Sequence, residues 1–186
     1  MPIAHTLRIN GIPTTLYGSI DLLETRLVQI VGNLDPTTHG RLVAEHASLA
    51  LLKHSDSCAL LHDGPGIAAA ALEALATVEP RRVAVIARRG TTDWHAQLAD
   101  AGALILDGPE RQLARSLADA CLIVEQHHDG RPEAPHLACV PGPVLTAATA
   151  GSNRLLLHPD IEITPDLEQW AKRLQYIPHR QRHYSH

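Results

Sequence analysis

Two adjacent arginines, Arg88 and Arg89, directly follow the apolar run Arg82–Ala87 (RVAVIA). A guanidinium forms paired hydrogen bonds with phosphate oxygens, so this pair suits phosphate or ribose contacts. The alternative is a solvated basic turn. Gly32 and Asn33 end another apolar run, Leu27–Gly32 (LVQIVG), and Gly64 and Gly66 sit in the turn-forming run His62-Asp63-Gly64-Pro65-Gly66. Glycine turns after strands can present bare amides and a helix N-terminus to an anion, or can serve only as turns. Arg111 and Arg115 stand four apart, which puts them on one face if their segment is helical. Arg115 could instead pair with Asp107 or Asp119. Together these eight residues define a candidate phosphate-binding set.

Other chemistries lack their residues. No GxGxxG opens a helix after a strand, and no GxxxxGK[ST] occurs, so neither a dinucleotide fingerprint nor a P-loop is expected. No GxSxG nucleophile elbow is found. His127-His128-Asp129 cannot share one ligand face on a loop, and no fourth ligand accompanies them. The chain is therefore expected to be neither an enzyme nor a metal or cofactor protein. The aromatic residues Tyr17, Trp94, Trp170, Tyr176 and Tyr184 are too few for broad base stacking, which leaves backbone contacts as the expected mode for any nucleic acid.

These residues need a scaffold. Strand-length apolar runs alternate with helical patterns along the 186 residues. After Leu27–Gly32, a helical period runs from His39 to His54. Ser57–Leu61 is a strand, Ile67–Ala76 a helix, and Arg82–Ala87 a strand. Thr92 or Asp93 caps a helix over Trp94–Ala101 that Gly102 ends. Ala103–Leu106 is a strand, and Pro109–Leu117 is a helix with Pro109 in its first turn. Ala120–Glu125 and His136–Val140 are the last core strands, and Pro165–Leu174 is a helix capped by Thr164. The pattern predicts an α/β, Rossmann-like three-layer domain: a mostly parallel sheet with helices on both faces. Ligands in such sheets sit at the carboxyl ends of the strands, where Arg88, Arg89 and the glycine loops converge. One domain over residues 1–177 is expected, with residues 1–26 leading into it and a basic, disordered tail over 178–186.

Bulk properties fit this picture. The net charge is −4 with histidines neutral, so nucleic acid could be held only by a local basic patch. Cys58, Cys121 and Cys139 lie apart in apolar runs, which points to buried thiols rather than disulfides or zinc. No apolar stretch reaches membrane-spanning length and no signal-peptide pattern opens the chain, so a cytoplasmic location is expected.

Four stretches, in order, resemble the DprA (Smf) family of DNA-processing proteins. They are Leu16–Glu24 (LYGSIDLLE) with Leu27–Gly32, Gly64–Leu75 (GPGIAAAALEAL), Arg115–Gln126 (RSLADACLIVEQ) and Ala138–Leu156 (ACVPGPVLTAATAGSNRLL). The last is the most specific. The resemblance spans about residues 15 to 174. It implies single-stranded DNA binding on a basic surface beside these loops, transfer of that DNA to a RecA-like recombinase, and homodimers. It also implies a mainly structural role for Asn153 and Arg154. Pro65 and Ala68 stand where the family carries an Arg and an Asp, and Glu110-Arg111-Gln112 where it carries Arg-Asn-Arg. A kept scaffold with an altered pocket leaves two alternatives open: a nucleotide- or small-ligand-sensing domain, and a non-catalytic assembly partner.

Overall fold

Asn10 and Gly11 both adopt left-handed backbone, with φ of 49° and 82°. They turn β1 (His5–Ile9) into β2 (Ile12–Gly18), with Ile9 paired to Ile12. A two-residue turn of this kind needs positive φ at both positions, and Asn-Gly supplies it. The computed structural model describes residues 4–126, 134–142, 150–155 and 157–185. A 3-10 turn over Ile20–Glu24 leads to β3 (Leu27–Gly32) and α1 (Thr38–His54). β4 (Cys58–His62), α2 (Ile67–Val78), β5 (Val83–Ala87), α3 (Asp93–Asp100), β6 (Leu104–Asp107) and α4 (Glu110–Leu117) follow. The chain continues through β7 (Ala120–Val124), β8 (His136–Cys139), α5 (Ala150–Leu155), β9 (Ile161–Ile163), α6 (Leu167–Arg173) and β10 (Tyr184–Ser185).

The strands form one sheet in the order β10-β1-β2-β6-β5-β4-β3-β7-β8-β9. From β6 to β9 every neighbouring pair is parallel, and the pairs from β6 to β10 through β2 and β1 are antiparallel. The strand order reverses between β3 and β7, which is the switch point of a doubly wound fold. Burial on both faces explains the continuous apolar runs of β4, β5 and β7. Val28, Ala59, Val85, Ile105 and Leu122 face one core, with Ala47, Leu51, Ala71, Leu75 and Leu98 from α1, α2 and α3. Leu27, Leu60, Ile86 and Leu106 face the other, with Leu113 and Leu117 from α4. The small side chains of Ala44, Ala47, Ala70 and Ala71 let α1 and α2 lie close to each other and to the sheet. The three cysteines are buried in β4, β7 and β8, as expected. Among the described residues no helix is long and apolar enough to cross a membrane.

The segment before residue 27 leads into the parallel core as two strands, β1 and β2. Two expectations need correction. The C-terminal helix starts later than expected, because Asp166 rather than Thr164 caps it, accepting from Gln169 N at 3.0 Å. The basic tail is ordered rather than disordered over its described residues. The Arg182 side chain is buried, donating to Leu117 O at 2.8 Å and to Asp119 Oδ2 at 2.7 Å. Arg180 N donates to Asp119 Oδ1 at 2.7 Å, and Tyr184 pairs with Ile9 to make β10 an edge strand. Polar anchoring to carbonyls and one buried carboxylate holds a segment that lacks an apolar face.

Candidate functional site

The carboxyl ends of β3, β4, β5, β6 and β7 present the candidate residues. At the switch point, Gly32 pairs with Val124 so closely that a Cβ would fall 1.7 Å from Val124 O. Glycine is required there by the approach of β3 and β7. Asn33 is committed to its own turn: its side chain donates to Asp35 O at 2.7 Å, and its carbonyl accepts from Ile67 N at 3.0 Å.

The N-terminus of α1, which points at this crevice, is already filled. Glu125, 4% exposed, ends β7 with a left-handed φ of 48° that turns its side chain back over the helix. Its carboxylate accepts from Thr37 N at 2.8 Å and from the Thr37 hydroxyl. Thr37 Oγ1 in turn accepts from Gly40 N at 3.2 Å. A carboxylate at a helix N-terminus satisfies orphan amides and complements the helix dipole. The protein thus supplies its own anion where a Rossmann fold commonly holds a ligand's phosphate.

The next helix opens differently. Gly66 caps α2 with φ 90° and ψ −139°, and no side chain bonds to the first-turn amides. Glycine alone tolerates that backbone. Gly64 borders this turn, and a Cβ on it would fall 2.5 Å from Arg88 Nη1. The structure therefore brings Gly64 and Arg88 together in the turn that opens α2, whose first amide, Ile67 N, is already held by Asn33 O while Gly66 packs against Asn33 and Leu34. Arg88 is partly neutralised, because its Nε lies 2.9 Å from Glu110 Oε2. Its backbone amide donates to Asp63 Oδ1 at 2.9 Å.

Arg89 is exposed beside Arg88, and Gly90 at φ 81° completes their loop. Arg111 is exposed one residue beyond Glu110, at the start of α4. Arg115 lies further along α4, in a groove of about 440 Å³ that it shares with Asn10, Ile12, Arg180 and Gln181. The structure thus sets Arg88, Arg89, Gly64 and Gly66 in neighbouring loops at the strand ends, with Arg111 next to the Glu110 that pairs with Arg88, and places Arg115 one turn further along α4 beside Asn10 and Arg180.

Sequence reasoning missed His62, Asp63, His95, Glu110 and Glu125 as members of this rim. His95 carried a signal: Thr92 and His95 stand at capping-box spacing. His95 Nδ1 accepts from Thr92 N at 3.0 Å, so the neutral ring carries its proton on Nε2. That nitrogen stands 3.4 Å from Asp63 Oδ2, in ion-pair range but without hydrogen-bond geometry. Burial holds His95 below its usual pKa, and the Asp63 and Asp107 charges offset this only partly. Burial also lowers His62, with Arg88 adding to the effect and Glu110 and Asp63 opposing it.

Beside these residues a groove of about 530 Å³ runs between α2 and α3. A second groove, about 340 Å³, opens beside α6 at the amino ends of β8 and β9, away from the rim. Among the described residues no three His, Cys, Asp or Glu side chains are placed to hold a metal. The His127-His128-Asp129 run lies outside the described residues. Arg154 is exposed on α5, with Leu155 buried beneath it.

No protein-family model matches the sequence, and no curated protein matches it. Solved structures do. The DNA processing protein A of Helicobacter pylori, described for its single-stranded DNA binding mode, superposes with a TM-score of 0.72 at 16% identity. The match covers 90% of this chain and 88% of that one. DNA processing protein A (DprA) of Streptococcus pneumoniae gives a TM-score of 0.68 at 16% identity, over 90% of this chain and 67% of that one. The chain has a DprA-like, Rossmann-type fold.

Proposed function

We propose that the chain binds single-stranded DNA at the carboxyl edge of its sheet, holding phosphates with Arg88, Arg89 and Arg111 and with the amides at the start of α2. One observation carries this reading: the Arg88 guanidinium lies against Gly64 in the turn that opens α2, with exposed Arg89 beside it. Guanidinium groups gathered at a glycine turn make a site for phosphate. The neighbouring fold in Helicobacter pylori, described for its single-stranded DNA binding mode, supports this ligand class. Gly32 and Asn33 serve the architecture of the switch point in this reading, and Arg115 serves a separate surface. The chain acts as a non-enzymatic cytoplasmic DNA-handling homodimer that passes its strand to a RecA-like recombinase.

The test is fluorescence anisotropy with an oligo-dT strand at two salt concentrations. Phosphate contacts release counterions, so affinity falls steeply as salt rises. An Arg88→Ala/Arg89→Ala chain binds weakly at low salt with a shallower salt slope. Absence of binding by the unaltered chain at low salt removes the reading.

A second reading has its own observation. Glu125 fills the anion position at α1, while the groove between α2 and α3 stays open. That arrangement suits a small nucleotide-derived ligand held beside α2. A thermal-shift screen of nucleotides tests it, since a ligand bound only by the native state raises the melting temperature.

A further inference from the structure

The groove between α2 and α3 has the make-up of a small-molecule site. Its volume, about 530 Å³, is lined by Asp63, Gly64, Leu72, Ala76, Trp94 and His95 among others. Sites of this size combine apolar walls with a few placed polar groups.

Two of its walls are unusual. Trp94 is 44% exposed, although it follows the cap of α3 and could have packed inward. Its ring meets His95 edge to face, with centroids 4.9 Å apart and planes at 71°. That contact orients the indole while leaving much of it open, which is how a stacking platform is built. Asp63 is the other wall. One of its oxygens accepts from Arg88 N, which anchors the carboxylate, and the other faces His95 Nε2 at 3.4 Å. Each carboxylate oxygen has a further lone pair, and the group only accepts. His95 itself is 3% exposed and its Nε2 has no hydrogen-bond partner. A buried donor left unpaired beside a cavity marks a site whose polar groups are incomplete without an occupant.

We propose that this groove takes the base of a nucleotide, stacked on Trp94, and that Asp63 selects a guanine-type edge with two adjacent N–H donors. The inference rests on the single-stranded DNA reading for the neighbouring phosphate contacts and extends that reading to the base. Gly64 joins the two: it lines the groove and also lies against the Arg88 guanidinium. Phosphate-binding and base-binding groups therefore border one residue, as a single nucleotide requires. Guanine presents N1–H and N2–H side by side to the two Asp63 oxygens. Thymine presents one N–H between two carbonyls, which would face those same oxygens. Inosine keeps the ring and loses only the exocyclic amine.

The experiment uses the full chain and dT strands carrying one central dG, dI, dT or abasic unit. The strand with dG is expected to bind at least about tenfold tighter than the dT or abasic strand, with dI in between. Trp94→Ala lowers affinity for the base-containing strands to the abasic level. Asp63→Asn abolishes the preference for dG while salt-dependent binding persists. Thermal melts confirm that both variants fold. Equal affinity for all four strands, unchanged by Trp94→Ala, overturns the base site and leaves the DNA reading standing. If no strand binds, the mononucleotides dGMP and dTMP decide the matter through tryptophan emission. Quenching by dGMP over dTMP that disappears in Trp94→Phe supports the base site, and its absence overturns it.

Discussion

A Cβ added to Gly40 would fall 2.2 Å from Glu125 Oε2. The glycine admits the carboxylate, and the carboxylate closes the N-terminus of α1. Gly40→Ala is expected to cost about 1–3 kcal/mol through overpacking. Glu125→Ala costs about 1–3 kcal/mol by removing a charged acceptor from Thr37. The two changes couple. Without Glu125 the crowding disappears, and alanine is the better helix former by about 1 kcal/mol. Gly40→Ala therefore changes sign, stabilising the Glu125→Ala chain. Urea denaturation of the four chains measures the coupling, and simple additivity contradicts the arrangement.

Arg182 and Asp119 form an ion pair whose side chains are 1% and 0% exposed. Removing one partner strands the other charge in a dry interior. Arg182→Ala is expected to cost about 3–5 kcal/mol, and deleting residues 179–186 a comparable amount. Arg182→Lys recovers only part, because one ammonium cannot reach Leu23 O, Thr25 O, Leu117 O and Asp119 together. The midpoint of urea unfolding reads all three changes. A truncated chain as stable as the whole one contradicts this role.

The parallel core was legible because strands buried on both faces must be apolar throughout, as in Val83–Ala87 and Ala120–Val124. Asn10-Gly11 carries a strong turn signal for the first hairpin. The tail was not legible. Arg182 meets a carboxylate 63 residues away, and no local pattern encodes that meeting. Glu125 was hidden for the same reason, as a charged residue after an apolar strand reads as surface until Thr37, 88 residues away in sequence, is brought beside it. Arg88 and Arg89 were placed correctly at the strand end. Glu110, which moderates Arg88, became visible only when α4 was set across β5.

Burial holds His62 and His95 below the ordinary imidazole pKa. The unfolded chain takes up these protons near pH 6.5, whereas the folded chain resists them. Unfolding therefore binds protons below about pH 6.5, so stability is full above that pH and falls as pH drops through it. The fall levels off once the folded imidazoles are themselves protonated. His95→Gln keeps the capping box through its side-chain oxygen, and His62→Asn can still accept from the Gly64 amide as an Asx turn. The double variant should show a smaller loss of melting temperature between pH 7.5 and 5.5. A loss as large as in the unaltered chain assigns the effect to other groups.

Glu110 restrains the Arg88 guanidinium that lies against Gly64 in the turn before α2. The Arg88 and Glu110 side chains are 39% and 33% exposed, so their ion pair adds less than about 1 kcal/mol to stability. It has more influence on an incoming phosphate, which must compete with the carboxylate for Arg88 and is repelled by it. Glu110→Gln is therefore expected to leave the melting temperature nearly unchanged while tightening oligo-dT binding several-fold at low salt, with a steeper salt slope. Glu110→Gln combined with Arg88→Ala should gain much less, because the benefit acts mainly through the freed guanidinium. Anisotropy titrations of the single and double variants separate this from a general gain in positive charge. An equal gain in both places the phosphate contact away from Arg88.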